Sequence, residues 1–194
     1  MIKGKIEHKK LIVDILVSAF IDLEEDNSIN YIVGNGKDRT ARMEALMGYL
    51  FEKSLLFGEI HISTNKTSCL LVAFSEKEKV TLKTILLDIE LAFKCIKLKN
   101  VFKILKRQKA VKQFYPKNQG YIKPVIMGSL KDAYGSGSAA RMVLQVMKGY
   151  TDNKKPVIVD TVSDYNIKLY KKFGFRVINK EESLGFPMTL LRIN

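Results

Sequence analysis

Cysteine is scarce: Cys69 and Cys95 are the two among 194 residues. That is too few for a disulfide framework, and neither lies in a Cys-x-x-Cys pair, which excludes the usual zinc and dithiol redox motifs. Two free thiols in a reducing cytoplasm are expected. Long hydrophobic runs are missing too. The longest, Leu11 to Phe20, is interrupted by Asp14 and covers about half of what a bilayer-spanning helix needs. It reads as a buried helix, and no membrane association is expected. The basic start, Met1-Ile2-Lys3-Gly4-Lys5, lacks the cleavage site of a secretory signal. No internal repeat and no low-complexity segment is visible.

What is present fits one folded domain. Hydrophobic residues make up 46% of the chain, an ordinary globular share that argues against disorder. Its length suits a single core, so residues 1–194 are read as one domain. Lysine and arginine total 33 against 20 acidic residues, a net charge of +13. Such a field attracts polyanions. Nucleic acid, an anionic membrane surface and a phosphorylated cofactor all qualify, and charge does not choose among them.

The pattern changes midway. Helical periodicity marks Lys10–Asp22 and Thr40–Leu56, the latter with Met43, Leu46, Met47, Leu50, Phe51 and Leu55 on one face and Asp38 or Thr40 as its cap. Two strands, Gly58–Thr64 and Thr67–Ser75, flank a hairpin turn at Asn65-Lys66. Helical stretches are expected over Lys79–Cys95 and Leu98–Phe114. The second half reads as a strand over Tyr121–Leu130, a glycine turn and a helix over Ser138–Tyr150. There follow a strand over Val157–Thr161, a helix over Ser163–Phe173 closed by Gly174, and strands over Phe175–Asn179 and Met188–Arg192. This order implies an α/β sheet.

Two segments carry chemistry. Tyr134-Gly135-Ser136-Gly137-Ser138 joins a strand to a helix. Glycines there let the backbone take positive φ and let an anion approach, while the free N–H groups of the helix start point at it. A turn that binds nothing would read the same way. Further on, Asn166 and Tyr170 lie four residues apart on one helical face, where Tyr170 could donate a proton or simply join the apolar stripe with Ile167 and Phe173.

Together these segments resemble the GCN5-related N-acetyltransferase family. Tyr121–Met127 is similar to its cofactor strand, Gly135 and Gly137 match the two small positions of its phosphate turn, and Asn166, Tyr170, Gly174 and Phe175 match its later signature. The resemblance covers roughly residues 121–175. It implies a mixed, mostly antiparallel central sheet flanked by helices, with a helical insertion at 79–114 before the cofactor strand. Residues 1–120 would form the acceptor side and residues 121–194 the cofactor half. Departures are Asp132 at the usual Gln or Arg position, where a carboxylate repels phosphate, and Pro124 inside the cofactor strand, which marks an edge or a bulge.

The resemblance further implies acetyl-CoA as cofactor and direct attack of an amine on its thioester. Ala133, Tyr134, Gly135, Ser136, Gly137 and Ser138 would cradle the pyrophosphate. Ile126 and Met127 would pair with the pantetheine arm, with a backbone N–H near Met127 polarising the carbonyl. Asn166 would bond the same arm, and Tyr170 would protonate the leaving thiolate. Glu59 and His61, on one face of a strand, are the candidates for the base, although both also read as plain surface residues. The acceptor would be a small-molecule or peptide amine, in a monomer or homodimer. Acidic Glu24, Glu25 and Asp26 could attract it. A basic cluster at Lys94, Lys97, Lys99, Lys103, Lys106, Arg107, Lys109, Lys112 and Lys117 raises a competing reading, nucleic-acid binding, but a solvated amphipathic face is the simpler one. A silent acetyltransferase fold that only senses CoA is another.

Overall fold

Apolar residues at helical and strand spacing set the architecture of the computed structural model, which describes residues 1–24, 27–96, 104–105, 108–109, 111–151, 155–182 and 187–194. Strands β1 (Ile2–Lys3), β2 (Gly58–Ile62), β3 (Ser68–Phe74), β4 (Ile122–Ser129), β5 (Val157–Thr161), β6 (Arg176–Glu181) and β7 (Met188–Ile193) form one sheet in the order β1-β2-β3-β4-β5-β7-β6. Neighbours are antiparallel except β4 and β5, which run parallel. This is the mixed, mostly antiparallel sheet expected. The short β1 was not legible in the basic start of the chain; it pairs Ile2 with Ile62 and Lys3 with His61.

Helices α1 (Lys9–Phe20), α2 (Ser28–Val33) and α3 (Arg39–Phe57) precede β2. In α1, Ile12, Ile15 and Leu16 are fully buried, and in α3 so are Met43, Met47 and Phe51; both stripes follow the three-and-four spacing that keeps one face inward. They cover the sheet face built from Ile60, Ile62, Cys69, Leu71 and Ile126. Asp38 stands at the α3 cap position but makes no side-chain cap bond. Two arginines tie this end down instead. Arg39 donates to the carbonyls of Ile21 and Gly34 and to Asn30 Oδ1, and Arg42 donates to the Val33 carbonyl at 2.7 Å.

The β2–β3 hairpin turns at Asn65-Lys66 as expected. Lys66, not a glycine, takes the positive φ of 58°, and the Lys66 N–H donates to the Ser63 carbonyl at 2.9 Å.

Beyond β3, α4 (Leu82–Lys94) begins at a Thr81 cap whose hydroxyl accepts from the Thr84 N–H. In the second inserted stretch, residues 104–105, 108–109 and 111–112 are helical. Residues 98–103, 106–107 and 110 of that stretch, with Lys99, Lys103, Lys106 and Arg107 among them, lie outside the described residues, as do Lys97, Glu25 and Asp26. Val111 and Tyr115 pack with Ile158, Met188 and Leu190. The end of the insertion therefore covers the part of the sheet around β5 and β7.

Helices α5 (Ser138–Thr151) and α6 (Asp164–Lys172) cover the opposite face. Met142, Val146 and Tyr150 of α5 pack with Leu70, Val72, Ile122, Val157, Val159 and Leu191, and Ile167, Tyr170 and Phe173 join them from the α6 side. α6 starts on Ser163, whose hydroxyl accepts from the Asn166 N–H, and closes at Gly174, φ 88°. Among the described residues, no helix is long and apolar enough to cross a membrane. Both cysteines are free and buried. Burial pushes the Cys69 thiol up to about 12 and the Cys95 thiol up to about 11, so neither is poised as a thiolate.

Candidate active site

The site begins where two parallel strands part. β4 and β5 share a single register pair, Ile122 with Val157, and the Ile122 N–H donates to the Pro156 carbonyl at 2.9 Å. Beyond that point they diverge. On its other edge β4 stays paired with β3, except for a break in register that leaves Val125 between the pairs Val72–Pro124 and Leu71–Ile126. This is a bulge, and bulges bend a strand and re-aim its groups. Pro124 sits beside it. Backbone groups alternate sides along a strand, so Pro124 shares the β5-facing edge with Ile122. Its missing N–H thus falls where β5 is already leaving.

After the bulge the alternation can be counted back from the Leu130 N–H, which donates to the Thr67 carbonyl on the β3 side. Gly128 and Ile126 therefore turn their backbone to β3, while Ser129, Met127 and Val125 turn theirs to the gap. The side chain of Met127 supports an opening here. β4 is the central strand of the sheet, yet Met127 is 38% exposed. Ile126 is buried against α1 and α3.

The chain then turns through Lys131–Ala133 into the glycine loop. Gly135 has φ 78° and Gly137 φ 71°, a region in which any side chain is strained. A Cβ on Gly135 would meet nothing within 4 Å, so its surface is open. The first helical bond of α5 runs from the Arg141 N–H to the Gly137 carbonyl. The N–H groups of Ser138, Ala139 and Ala140 are left to the helix start. The Ser138 N–H reaches Ser136 Oγ at 3.3 Å. The Ser138 hydroxyl is not free for an anion: it is buried and donates to Asn65 Oδ1 at 2.9 Å. The β2–β3 turn thus anchors the start of α5.

Asp132 is exposed at the edge of this loop. A positive group that sequence reading missed lies nearby. The Arg141 guanidinium donates to the Ser136 carbonyl at 3.4 Å, and its Nη1 lies 3.6 Å from where a Cβ on Gly137 would stand. Arg141 follows the second glycine by four residues, one helical turn, and that spacing was the available signal. Lys131 is engaged elsewhere, with Asp22.

Asn166 and Tyr170 share a face of α6, on the same side of the sheet as α5. The Tyr170 ring packs against Phe175 with centroids 5.4 Å apart. Its phenol is pushed above the ordinary tyrosine value by burial, with Asp160 adding to the shift. It is therefore protonated at neutral pH, with its hydroxyl making no hydrogen bond among the described residues.

Glu59 and His61 meet each other and α5. The Tyr150 hydroxyl lies 3.0 Å from His61 Nε2 and donates to Glu59 Oε2 at 3.1 Å. Lys3 pairs with Glu59 at 3.3 Å. Burial pushes the His61 imidazole below its ordinary value, against the pull of Glu59. His61, Leu70 and Met127 stand in one row across β2, β3 and β4, which puts His61 about 10 Å from the gap edge by strand spacing. His61 thus stands two strands from Met127 on the α5 face of the sheet, with the Tyr150 hydroxyl against both it and Glu59.

A groove of about 570 Å³ lies elsewhere, between α1, α3 and α4. Several of its charges are already paired, Lys9 with Glu52, Lys10 with Asp14 and Lys94 with Glu90. Among the described residues no His, Cys, Asp and Glu cluster could hold a metal ion.

Solved structures share this fold. A histone acetyltransferase HPA2-related acetyltransferase from Corynebacterium glutamicum aligns over 98% of this chain and 93% of its own, with TM-score 0.67 and 15% identity. The fold is that of the GCN5-related N-acetyltransferases. The C-terminal condensation domain of Ebony, in complex with β-alanyl-dopamine, aligns over 99% of this chain and 96% of its own, with TM-score 0.67 and 12% identity. The polyamine N-acetyltransferase of Drosophila melanogaster, which forms N-acetylagmatine, aligns over 99% and 97%, with TM-score 0.56 and 10% identity. No protein-family model matches the sequence, and no curated protein matches it significantly. Within this fold, α5 with its glycine turn and α6 pack on one face of the sheet. Val111 and Tyr115 pack on the other face near β5 and β7.

Proposed function

We propose that this chain is an N-acetyltransferase that moves an acetyl group from acetyl-CoA to a small amine. The observation that carries the reading is the gap between β4 and β5, open at Met127 and leading to a helix start with two positive-φ glycines. A long, thin cofactor with a diphosphate at one end and a thioester at the other fits this shape. The N–H groups at Gly135, Gly137, Ala139 and Ala140 meet the diphosphate, aided by the helix dipole and by Arg141. Val125 and Met127 offer backbone partners to the pantetheine arm, as a missing β5 ladder would, and the Asn166 side chain adds an amide.

The cofactor supplies an activated acetyl thioester. The neutral amine nitrogen forms the new C–N bond while the C–S bond breaks, and the proton it sheds passes to water, from which the Tyr170 phenolate is reprotonated after it has given its proton to the sulfur. The Met127 N–H, unpaired on the gap side, stabilises charge on the carbonyl oxygen. Tyr170 gives its proton to the departing sulfur, which its raised pKa permits across the neutral range. We assign the base to neither Glu59 nor His61. Structures of similar fold include agmatine, polyamine and arylalkylamine N-acetyltransferases, and these amines are the acceptor classes to try first.

The test is thiol release from acetyl-CoA in the presence of agmatine, spermidine and tyramine, with mass spectrometry of the product. Amine-dependent release and a product heavier by one acetyl group support the proposal. CoA binding without turnover on any amine overturns it in favour of a silent sensor.

A further inference from the structure

α4 is apolar on two opposite faces. One is used at home: Thr84 is 2% exposed and Leu91 9%, seven residues apart and turned to the protein core. The opposite face carries Leu82, Leu86, Ile89 and Phe93, exposed by 82%, 66%, 48% and 73%. Their spacing of four, three and four residues is that of the a and d positions of a helix–helix seam. Ile85, 43% exposed, borders it. A surface helix ordinarily turns polar groups outward, and one apolar all round is normally covered. Together these side chains expose on the order of several hundred Å² in one stripe. That is the size of the largest apolar patch on an ordinary monomer, about 300–600 Å², which is often an interaction site, and it would form the apolar centre of a standard interface of roughly 800 Å² per partner.

We propose that a second copy of this chain covers the seam, with the two α4 helices antiparallel about a two-fold axis between Leu86 and Ile89. The charges on α4 select this partner. The chain carries a net +13, yet α4 holds Lys83 and Lys94 against Asp88 and Glu90. It is a neutral island in a basic molecule, which neither recruits a polyanion nor repels its own kind. The flanks set the direction. Lys83 and Glu90 fall on one flank of the seam, Ile85 and Ala92 on the other. Antiparallel helices bring like flanks together, so Lys83 of each copy faces Glu90 of the other, while Ile85 and Ala92 meet as an apolar pair. A parallel pair would set the charged flank against the apolar one. Within the chain Lys83 also pairs with Glu52 at 3.5 Å and Glu90 with Lys94 at 2.7 Å, but Lys83 stays 58% and Glu90 54% exposed, so both can also reach the second copy. The arrangement is isologous and closes at two copies.

Sedimentation velocity on the full chain over a concentration series tests this, with circular dichroism to confirm that each variant folds. All substituted residues are exposed, so folding is expected to persist. The wild type should sediment at twice the monomer mass in the micromolar range. Leu86→Glu should shift it to the monomer, by at least about a hundredfold weaker self-association, because two charges would be buried at the axis. Lys83→Glu and Glu90→Lys should each weaken the dimer severalfold, and the double reversal should restore it. A monomeric wild type overturns the proposal. So does a dimer indifferent to Leu86→Glu, and so does a double reversal no better than either single one, which would remove the antiparallel pairing.

Discussion

Lys123 on β4 and Asp160 on β5 meet at 3.0 Å across the gap where their backbones no longer pair. Tyr115, from the end of the insertion, donates to the same carboxylate at 2.8 Å and lies under the Lys123 ammonium, 5.0 Å from its ring centre. Burial opposes the Lys123 charge, but Asp160 and Tyr115 overcome it and hold the ammonium above its ordinary value. A side-chain bridge thus spans the two strands where the ladder is missing. Asp160→Asn leaves Lys123 without its counter-charge in a partly buried site. A loss of about 1–3 kcal/mol is expected, read as a lower urea midpoint, with Lys123→Met/Asp160→Asn recovering part of it.

Tyr170→Phe should leave CoA affinity within about twofold and lower turnover by roughly a hundredfold or more. The wild-type rate should show no loss from Tyr170 ionisation until the pH passes the ordinary tyrosine value near 10, because burial and Asp160 both raise the phenol pKa. Equal damage to binding and turnover, or no damage, contradicts the acid role. Steady-state kinetics beside calorimetry separate these outcomes.

Charge around the glycine loop should act in opposite directions. Arg141→Ala removes the guanidinium beside Ser136 and Gly137 and should weaken CoA binding about tenfold, the scale of one charge-assisted hydrogen bond. Asp132→Asn removes an exposed carboxylate from the loop edge and should tighten binding severalfold at low salt, with the gain fading as salt screens it. Titrations at two ionic strengths check both.

His61 makes stability depend on pH. Its imidazole is held below its ordinary value of 6.5, mainly by burial. The unfolded chain therefore takes up a proton before the folded one does. The His61 contribution is complete above about pH 6.5 and is lost as the pH falls towards the lowered folded value. His61→Gln should flatten this part of the stability curve, measured by urea unfolding between pH 7.5 and 5.

The strands and helices of the second half were legible because their apolar spacing is regular and their turns carry glycine. Val157–Thr161 is a strand with the bounds the sequence suggests. The Gly135–Gly137 turn and the Asn166–Tyr170 face stood out for the same reason. What stayed hidden depends on distant partners. β1 is two residues long and exists only through β2. The Val125 bulge was hinted at by Pro124 alone. The Ser138 hydroxyl looked like a phosphate ligand until Asn65, 73 residues away in sequence, was placed against it. Glu59 and His61 did share a strand face, as alternation required, but that face lies beneath Tyr150. No local pattern could place the Lys123–Asp160 bridge, which joins strands 37 residues apart. The sequence marked Lys79–Cys95 as helical, but which of its apolar faces turns outward depends on how α4 packs on its neighbours.

The central claim is that backbone amides at the start of α5 hold a diphosphate. Amide-resolved NMR during titration with CoA tests it most directly, with pantetheine as the control that lacks the diphosphate. CoA should shift the amides of Gly135, Gly137, Ser138, Ala139 and Ala140, together with Val125 and Met127. Pantetheine should move only the latter pair. Saturation with CoA leaving the 135–140 amides unmoved, or shifts confined to the basic insertion, would contradict it.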